Sequence, residues 1–368
     1  MTKKRIMIWY WGRRGGGARY TLELTKALLN QNDIEVHVSL STYNELYEAY
    51  IATGAKIHAV KTYRSPLSFG LSFFRLPFLL QSLKHYMDDN DITCVVSSMP
   101  HLWSLFVIPL LKQNERKFIS TIHDPEPHVG DSISYPKALV RREIEIADHV
   151  ICLSEFVATR LRDLYDCPRN KVSVCPHGMF VFGADFVGHN IRNANRPFRF
   201  LFFGRILPYK GLPLLLEAFK LLEREGLNVE LNIAGNGDVE QYAALMGSPR
   251  IKADIRWIHE NELPVIYGMS DAVVLPYIAA SQSGVWADAM GFQKPCIVTP
   301  VAGLVEQISH GENGLVTTGI TPEDLANAMR HIMQPELYKT LTENLRQLDH
   351  GKEWAVTAEK ILLQARSS

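Results

Sequence analysis

Short apolar runs alternate with longer amphipathic segments along almost the whole sequence. The runs are rich in β-branched and aromatic residues, as strands are, and the segments between them repeat their apolar residues with a helical period. This alternation predicts an α/β fold in which helices cover both faces of parallel sheets. The predicted strands cover residues 5–11, 36–40, 56–60, 94–97, 118–122, 149–153 and 172–175, then 198–203, 229–233, 255–258, 272–275 and 296–298.

The alternation pauses between residues 179 and 197, a stretch rich in Asn, Gly and Arg that has no clear period. Such a stretch is typical of a linker, and 368 residues exceed the ~100–200 residues of one domain. We therefore predict two Rossmann-like doubly wound domains, at residues 1–180 and 181–350, followed by a C-terminal helix at 351–368. Open α/β sheets bind ligands beyond the carboxyl ends of their strands, so we expect a ligand in a cleft where the two domains face each other.

Composition excludes several classes of protein. Apolar residues make up 46% of the chain and charged residues 21%, which excludes global disorder. Lys and Arg total 39, as do Asp and Glu, so we expect no nucleic-acid partner. The 5 cysteines are widely spaced without a C-x-x-C pair, which argues against a zinc site or disulfide framework and favours the reducing cytoplasm. No apolar run reaches the ~20 residues that span a bilayer.

A glycine-rich turn, WGRRGGG at residues 11–17, follows the first predicted strand and precedes a helical segment. Glycines at such a turn let backbone N–H groups approach phosphate oxygens beside the positive end of a helix, and Gly16 and Gly17 are the candidates. The spacing differs from the dinucleotide fingerprint G-x-G-x-x-G, so a nicotinamide enzyme is disfavoured. A flexible tight turn is the alternative interpretation.

Two cations follow the first strand of the second predicted domain, in the segment FFGRILPYKG at residues 202–211. Arg205 comes directly after Gly204, and Lys210 lies five residues further on, just before a helix. An arginine fork together with a lysine point charge suits a diphosphate group. The alternative is a pair of solvated surface cations.

Two more loops follow strands of the second domain. The turn ASQSGV at residues 280–285 presents backbone N–H groups at a helix start, and a simple N-cap by Ser283 is the alternative. Gly235 opens the loop GNGD, which we expect near a nucleotide base or ribose. The candidate binding residues in the first turn are Gln282, Ser283, Gly284 and Val285.

A histidine and an aspartate end a strand of the first domain, in the segment TIHDPEPH at residues 121–128. His123 could hydrogen-bond a sugar hydroxyl or transfer a proton, and a structural histidine supporting the proline-rich loop is the alternative. Asp124, Glu126 and His128 could join it around a metal ion. Because adjacent side chains at a strand end diverge, we predict no metal.

Four blocks in this order resemble the retaining glycosyltransferases of the GT-B fold, family 4 (the group 1 glycosyltransferases). They are FFGRILPYKGLPLLLEAF, LNIAGNGD, SDAVVLPY and ADAMGFQKPCIVTPVAGLVEQISHGENGLV. The first half carries the resemblance through its glycine-rich loop, the His-Asp pair, ICLSEF and PHG. The resemblance implies a metal-independent hexosyltransferase without a cofactor, whose first domain binds the acceptor and whose second domain binds a nucleotide-diphosphate sugar. It also implies that the C-terminal helix at 351–368 crosses back to the first domain.

The resemblance also implies roles for individual residues. Arg205 and Lys210 match the family's arginine and lysine on the donor diphosphate, and Gly16 or Gly17 matches the glycine whose N–H meets the phosphate. His123 matches the histidine that contacts the transferred sugar. The other matching residues are Asp288, in place of the glutamate that holds the ribose hydroxyls, and Asn261, Glu262 and Leu263, which match the segment lining the base.

One departure from the family pattern concerns the sugar ring. Ala280 stands where the family has the first glutamate of its acidic pair, and Ser281 or Gln282 could supply polar contacts instead. A relative that binds a sugar nucleotide without transferring the sugar is therefore an alternative. Another two-domain sugar-nucleotide enzyme, such as an epimerase, is a further one, although the Arg205 and Lys210 block fits it poorly.

The acceptor side of the sequence contains a basic apolar segment. Residues 63–87 combine Phe and Leu with Arg64, Arg75 and Lys84 and contain no acidic residue. Such a segment can lie on an anionic membrane surface, and a core-packed helix with its loop is the alternative. In the first case the acceptor is a lipid-linked glycan, the protein is peripheral to the inner face of the cell membrane, and the resemblance implies bacterial polysaccharide or lipopolysaccharide assembly with a UDP- or GDP-sugar.

Overall fold

The computed structural model of the protein describes residues 3–64, 66–127, 130, 136–182 and 196–366. His128 and most of the predicted linker lie outside these residues. The described residues form two compact units. The first contains the residues up to Pro127, those from 136 to Gly178 and those from Gly351 onward, and the second contains those from Met179 to His350.

The first unit is built on a sheet of 7 parallel strands. They are β1 (Lys4–Tyr10), β2 (Ile34–Ser41), β3 (Lys56–Val60), β4 (Cys94–Ser97), β5 (Lys117–Ile122), β6 (His149–Cys152) and β7 (Val172–Val174). Their order across the sheet is β3-β2-β1-β4-β5-β6-β7. In the centre, Ile8 lies opposite Val38 and Val96, and all three side chains are fully buried. Burial on both faces explains why this strand is apolar from Ile6 to Tyr10 instead of alternating.

Helices connect these strands. They are α1 (Gly16–Leu29), α2 (Tyr47–Ala52), α3 (Pro66–Ser72), α4 (Leu76–Asp89), α5 (Ser104–Leu111), α6 (Lys137–Ile146) and α7 (Glu155–Tyr165). A 3-10 turn, Phe73–Arg75, joins α3 to α4. The capping residues mark where α7 begins and ends: Oγ of Ser154 accepts the N–H of Val157 at 3.2 Å, and Asp166 adopts a left-handed conformation.

The second unit is built on a sheet of 6 parallel strands. They are β8 (Phe198–Phe203), β9 (Val229–Ala234), β10 (Ile251–Asp254), β11 (Ala272–Leu275), β12 (Cys296–Val298) and β13 (Gly314–Val316), in the spatial order β10-β9-β8-β11-β12-β13. The helices are α8 (Leu212–Arg224), α9 (Leu263–Gly268), α10 (Gly284–Gly291), α11 (Ala302–Val305), α12 (Pro322–Ile332) and α13 (Pro335–Arg346). The core below β8 is aromatic, with Phe198, Phe200 and Phe202 fully buried.

The predicted α/β class is confirmed, and strands 56–60, 198–203, 272–275 and 296–298 have the predicted bounds. The strand predicted at 255–258 is wrong, because β10 lies at Ile251–Asp254 instead. This edge strand pairs only with β9 and is largely exposed, so its sequence IKAD needs no apolar face. The strand β13 was not predicted, because its three residues are too few to show a period.

The last helix, α14 (Lys352–Arg366), packs within the first unit. Trp354, Ala358 and Ile361 on one side of it are buried. The ring of Trp354 lies 5.1 Å from that of Tyr20 in α1. None of the helices in the described part of the chain has the length and hydrophobicity that crossing a bilayer requires.

Candidate functional site

Two glycines bring the loops after β8 and β9 together in the second unit. Gly204 follows β8 with a φ of 107°, and Gly235 follows β9 with a φ of 146°. A Cβ atom on Gly235 would lie 1.9 Å from the carbonyl oxygen of Gly204, so no larger residue fits there. The backbone at the carboxyl ends of these neighbouring strands is therefore closely packed and free of side chains.

Lys210 contacts a tyrosine from the neighbouring strand. It ends a 3-10 turn, Pro208–Lys210, just before α8, and its side chain is buried. Nζ of Lys210 donates a hydrogen bond of 3.0 Å to Oη of Tyr277, which follows β11. A Cβ atom on Gly204 would lie 3.1 Å from the same Nζ. The ammonium group of Lys210 is thus fixed beside the glycine loop.

Arg205 lies near the same tyrosine. Its side chain is half-buried directly after Gly204. Burial raises the pKa of Tyr277, which keeps the phenol protonated, and the charge of Arg205 acts in the opposite direction. Lys210 is hydrogen-bonded to this phenol, and the charge of Arg205 acts on the same group. Two such cations are suited to an anion that carries more than one negative charge.

The amino-terminal end of α10 lies next to this group. Ser283 is the N-cap of α10, as the structural alternative predicted, and its Oγ lies 3.5 Å from Oη of Tyr277. The N–H of Ser283 donates to Oε1 of Gln307 at 2.7 Å, which anchors the turn. Gly284, the first residue of the helix, has open space around it, and Val285 packs against Gly204. The positive end of α10 thus points to the same place as the two cations.

Asp288 lies one turn further along α10 and is nearly buried. Oη of Tyr267 donates to its Oδ2 at 3.4 Å, and the ring of Tyr267 stacks on Phe292 with centroids 4.7 Å apart. The carboxylate is therefore oriented by an aromatic side chain that is itself immobilised. Such a carboxylate can accept hydrogen bonds from vicinal hydroxyl groups.

The segment predicted to line a base forms the turn before α9. Glu262 accepts hydrogen bonds from Arg256 and from the N–H of His259, and Arg256 lowers the pKa of Glu262 to about 2. Its carboxylate therefore stabilises the turn. Leu263 is buried and Asn261 is exposed. Of the three predicted residues, Asn261 is therefore the one whose side chain is most exposed.

The turn that departs from the family pattern contains an unsatisfied amide. Ala280 is buried, and no described donor reaches the buried Oε1 of Gln282. A buried oxygen without a donor costs free energy. Gln282 is therefore the side chain in this turn that a hydroxyl-bearing ligand would satisfy.

The glycine-rich turn in the first unit has a carboxylate neighbour. The N–H of Gly15, the residue before α1, donates to Oε1 of Glu45 at 2.5 Å. Gly16 has open space around it, whereas a Cβ atom on Gly17 would lie 2.7 Å from Sδ of Met99. Glu45 thus occupies one of the amides of this turn, and the N–H groups of Gly16 and Gly17 make no hydrogen bond to any described residue.

His123 is buried at the carboxyl end of β5 in the first unit. Its Nε2 lies 2.9 Å from the carbonyl oxygen of Ser98, and its ring packs edge-on against Tyr20 at 4.7 Å. Since a carbonyl only accepts, Nε2 is the donor. Burial lowers the pKa of His123, so the ring is neutral and its Nδ1 is a hydrogen-bond acceptor. Asp124, its neighbour, is exposed.

Three residues that position the second-unit site were not predicted: Tyr277, Tyr267 and Gln307. Tyr277 ends the block SDAVVLPY, and its place directly after a strand was the available signal. Tyr267 and Gln307 act from α9 and from beyond α11, and no local motif marks them. Among the described residues, no group of His, Cys, Asp and Glu is arranged to hold a metal ion.

Two family models match the sequence. The model described as glycosyl transferases group 1 matches residues 189–348, and the one described as glycosyltransferase family 4 matches residues 14–179. An uncharacterized glycosyltransferase of Methanocaldococcus jannaschii is 28% identical over 191 residues, which cover 48% of each chain. The capsular polysaccharide biosynthesis glycosyltransferase CapM of Staphylococcus aureus is 25% identical over 171 residues, covering 45% of this chain and 44% of CapM.

The chain thus spans about half the length of the curated relatives it matches. Among solved structures, Anabaena HepE in complex with UDP-glucose has a TM-score of 0.71 at 16% identity, and the match covers 98% of each chain. At that identity the likeness concerns the fold. The two family models lie one after the other along the sequence and the fold matches over nearly the whole chain, so the protein belongs to the group 1 glycosyltransferases of the GT-B fold.

Proposed function

We propose that the protein is a retaining hexosyltransferase that moves a sugar from a nucleotide-diphosphate sugar to a glycan or lipid-linked glycan acceptor, without a metal ion. The observation that carries this proposal is the grouping of Arg205, Lys210 and the amino-terminal end of α10 around Tyr277. Two cations and a helix start at the carboxyl ends of parallel strands are an arrangement that suits a diphosphate group.

The grouping suits the leaving group of the reaction. Cleavage of a sugar–phosphate bond leaves negative charge on the diphosphate and positive charge on the sugar ring. Arg205 and Lys210 stabilise the first charge, and they are already in place before the bond breaks. In this mechanism they provide the charge that a divalent cation provides in other transferases.

Other residues hold the rest of the donor. The oriented carboxylate of Asp288 accepts the ribose hydroxyls, and the turn at Asn261 lies along the base. In the first unit, the neutral His123 accepts a sugar hydroxyl at Nδ1. The N–H groups of Gly16 and Gly17 contact the phosphate.

Retention of configuration needs either a covalent intermediate or a front-side displacement. The turn at 280–285 offers no carboxylate as nucleophile, and Oγ of Ser283 is used as a helix cap. We therefore propose front-side displacement, in which the departing phosphate oxygen accepts the proton of the acceptor hydroxyl as the new glycosidic bond forms. Isolation of a glycosyl–enzyme adduct would contradict this mechanism.

Two of the relatives support the proposed donor and acceptor classes. HepE was solved with UDP-glucose and CapM is a capsular polysaccharide enzyme, which supports a UDP-sugar, with a GDP-sugar as the alternative. The acceptor is proposed to be a bacterial polysaccharide or lipopolysaccharide precursor at the cytoplasmic face of the membrane. The protein is then a peripheral membrane protein.

Ala280 favours a second candidate function. A chain without a carboxylate at this position could bind a sugar nucleotide without transferring the sugar. In either function the unsatisfied oxygen of Gln282 can accept a sugar hydroxyl. Transfer or hydrolysis of the bound sugar distinguishes a transferase from a binding protein.

The first test measures thermal stability with UDP-, GDP- and ADP-sugars and with the bare diphosphates, for the wild type and for Arg205→Ala. A ligand at 100 times its Kd stabilises the folded state by about 2.7 kcal/mol. We expect one nucleotide class to stabilise the wild type and to lose its effect in Arg205→Ala. No stabilisation by any of them would contradict the proposal, and hydrolysis or transfer of the bound sugar then separates transferase from binding protein.

A further inference from the structure

Two arginines from distant loops meet at one edge of the first unit. NH1 of Arg13, in the glycine-rich turn, donates to the carbonyl oxygen of Arg64, after β3, at 2.5 Å. The guanidinium of Arg13 lies 4.9 Å from the ring centre of Tyr63, and that of Arg64 lies 4.5 Å from the ring centre of Tyr43. Within the described part of the chain, no carboxylate comes within salt-bridge distance of either guanidinium.

Both arginines are therefore held by aromatic faces and a backbone carbonyl while their charges remain uncompensated by the protein. Guanidinium groups held in this way keep donors available for an anion. A phosphate group fits this arrangement, since each guanidinium can donate two hydrogen bonds to it.

A continuous row of aromatic rings leads away from this pair. Tyr63 contacts Phe69 at 4.8 Å between ring centres, Phe69 contacts Phe73 at 5.2 Å, and Phe73 contacts Phe106 of α5 at 6.3 Å. The row begins half-buried and ends on the surface, where Phe73 and Phe106 are exposed. The arginine pair and the surface rings are thus parts of one connected structure.

Apolar side chains project from the end of this row. Phe74 is 80% exposed and Phe78, one helical turn later, is 72% exposed, whereas the opposite side of α4 is anchored in the core by Leu83 and Met87. On α5, Leu102 just before the helix and Leu105 within it are also exposed. Isolated exposed apolar residues are ordinary, but a contiguous patch marks an interaction surface. We call these residues together with Arg13, Arg64 and Arg75 the aromatic–arginine surface.

The segments that carry the exposed rings have no acidic residue, and Glu45, which lies beside Arg13, accepts the N–H of Gly15. Residues 61–87 contain no aspartate or glutamate, and α5 contains no charged residue at all. Arg75 is exposed between Phe74 and the start of α4. A partner that fits therefore combines apolar chains with negative groups.

We propose that the aromatic–arginine surface docks on a bilayer of anionic phospholipid, with Arg13 and Arg64 on phosphate headgroups and Phe74 and Phe78 in the acyl region. Rings that project separately need no complementary shape in a bilayer, whereas a second protein would need a cavity for each. The proposal deepens the proposed function, on which it rests for the idea that the acceptor is lipid-linked, by naming the surface that brings the first unit to that acceptor.

The test is sedimentation of the full chain with vesicles of phosphatidylcholine, with or without phosphatidylglycerol. We expect binding to the anionic vesicles and weaker binding to the neutral ones. The double variant Phe74→Ser/Phe78→Ser should bind both kinds about tenfold or more weakly, since each ring leaves the acyl region. Arg64→Ala should weaken binding about fivefold, and only to the anionic vesicles.

Matched controls lie on the rest of the surface. Val265→Ser/Leu363→Ser removes two exposed apolar side chains, and Arg346→Ala removes one exposed charge, and both variants should bind vesicles as the wild type does. Equal binding by Phe74→Ser/Phe78→Ser and wild type, or no binding of the wild type to either vesicle, would overturn the proposal. So would stabilisation by inorganic phosphate without vesicle binding, or a dimer that Phe74→Ser/Phe78→Ser dissociates.

A separate measurement of donor binding allows the docking surface and the proposed function to be tested independently. Stabilisation by a UDP- or GDP-sugar is measured without vesicles, and Phe74→Ser/Phe78→Ser should retain it in full. Vesicle binding without donor binding would refute the proposed function alone. Donor binding without vesicle binding would refute the docking surface alone.

Discussion

Nζ of Lys210 and Oη of Tyr277 are joined by a 3.0 Å hydrogen bond that connects the loops after two neighbouring strands, β8 and β11. The phenol accepts from the lysine and lies 3.5 Å from the Oγ of Ser283, so it links a cation to a helix cap. A buried tyrosine in this position fixes where the lysine charge lies before any ligand arrives. Tyr277 is therefore a positioning residue of the proposed diphosphate site.

Tyr277→Phe keeps the ring and removes the acceptor oxygen. We expect affinity for the nucleotide-diphosphate sugar to fall by up to about tenfold, because the ammonium group of Lys210 loses the hydrogen bond that orients it. Affinity for the nucleoside alone should not change. Titration calorimetry with both ligands measures the difference.

Tyr338→Phe is the matched control for this variant. Tyr338 is buried in the same unit, and its Oη donates to the carbonyl oxygen of Asp271 at 3.2 Å. This control should lose stability without losing diphosphate affinity. Equal affinities in both variants would show that Tyr277 does not position Lys210.

Gly235→Ala tests the contact between the loops after β8 and β9. The new Cβ atom would lie 1.9 Å from the carbonyl oxygen of Gly204, so the two loops must separate. We expect a loss of more than about 2 kcal/mol in the free energy of unfolding, together with loss of donor binding. Urea unfolding and calorimetry provide the two measurements.

Gly226→Ala separates the clash from backbone strain. Gly226 also has a positive φ, of 75°, but nothing lies within 4 Å of its Cβ position. This variant should lose only about 1 kcal/mol and keep donor binding. If the two variants behave alike, close packing at Gly235 is not what shapes the site.

Glu143→Gln tests a buried carboxyl group in the first unit. Oε1 of Glu143 accepts hydrogen bonds from Ser97 at 2.9 Å and from Ser120 at 2.8 Å. Burial raises the pKa of Glu143 from 4.5 to about 7. Between pH 4.5 and 7 the unfolded chain loses this proton while the folded chain keeps it, so stability falls as pH rises, by about 1.4 kcal/mol per pH unit.

Glutamine does not titrate, so the pH dependence of stability that Glu143 contributes is absent from the variant. The melting temperature of Glu143→Gln should rise relative to that of the wild type as the pH increases from 4.5 to 7, and the difference should then level off. Glu145→Gln, at an exposed position of the same helix, is the control. Parallel pH profiles for wild type and Glu143→Gln would refute the assignment.

His123→Ala tests the neutral histidine. Nδ1 is proposed to accept a hydroxyl of the transferred sugar, so the variant should bind the nucleotide-diphosphate sugar up to about tenfold more weakly. Binding of the bare nucleoside diphosphate should be unaffected. A histidine that only supports the loop would instead show equal losses for both ligands, and a lower melting temperature without a change in this ratio.

The parts of this protein that could be predicted are those whose sequence pattern lies within a single strand or a single turn. The sequence predicted the strand Phe198–Phe203, because a strand that is buried on both faces has a nearly continuous apolar run. It also predicted the turn that carries Arg205 and Lys210, because glycines mark the ends of that turn. The edge strand Ile251–Asp254 was misplaced since it is largely exposed and lacks such a pattern.

Contacts between residues on different strands of a sheet could not be predicted from local sequence patterns. The bond between Lys210 and Tyr277 joins residues 67 positions apart, and that between Gly15 and Glu45 joins residues 30 apart. Both contacts depend on which strands are neighbours in the sheet, and the hydrophobic periodicity of a segment does not determine the order of the strands. The roles of Tyr267 and Gln307 escaped prediction for the same reason.

The helix that closes the chain has a consequence for synthesis. The residues of the first unit are synthesised in two separate stretches, and residues Met179–His350 of the second unit are translated between them. Trp354 reaches Tyr20 only after that interval, so the second unit can complete its core while the first still lacks its last helix. A chain truncated before residue 351 would therefore carry a complete second unit and a first unit with one side of α1 uncovered.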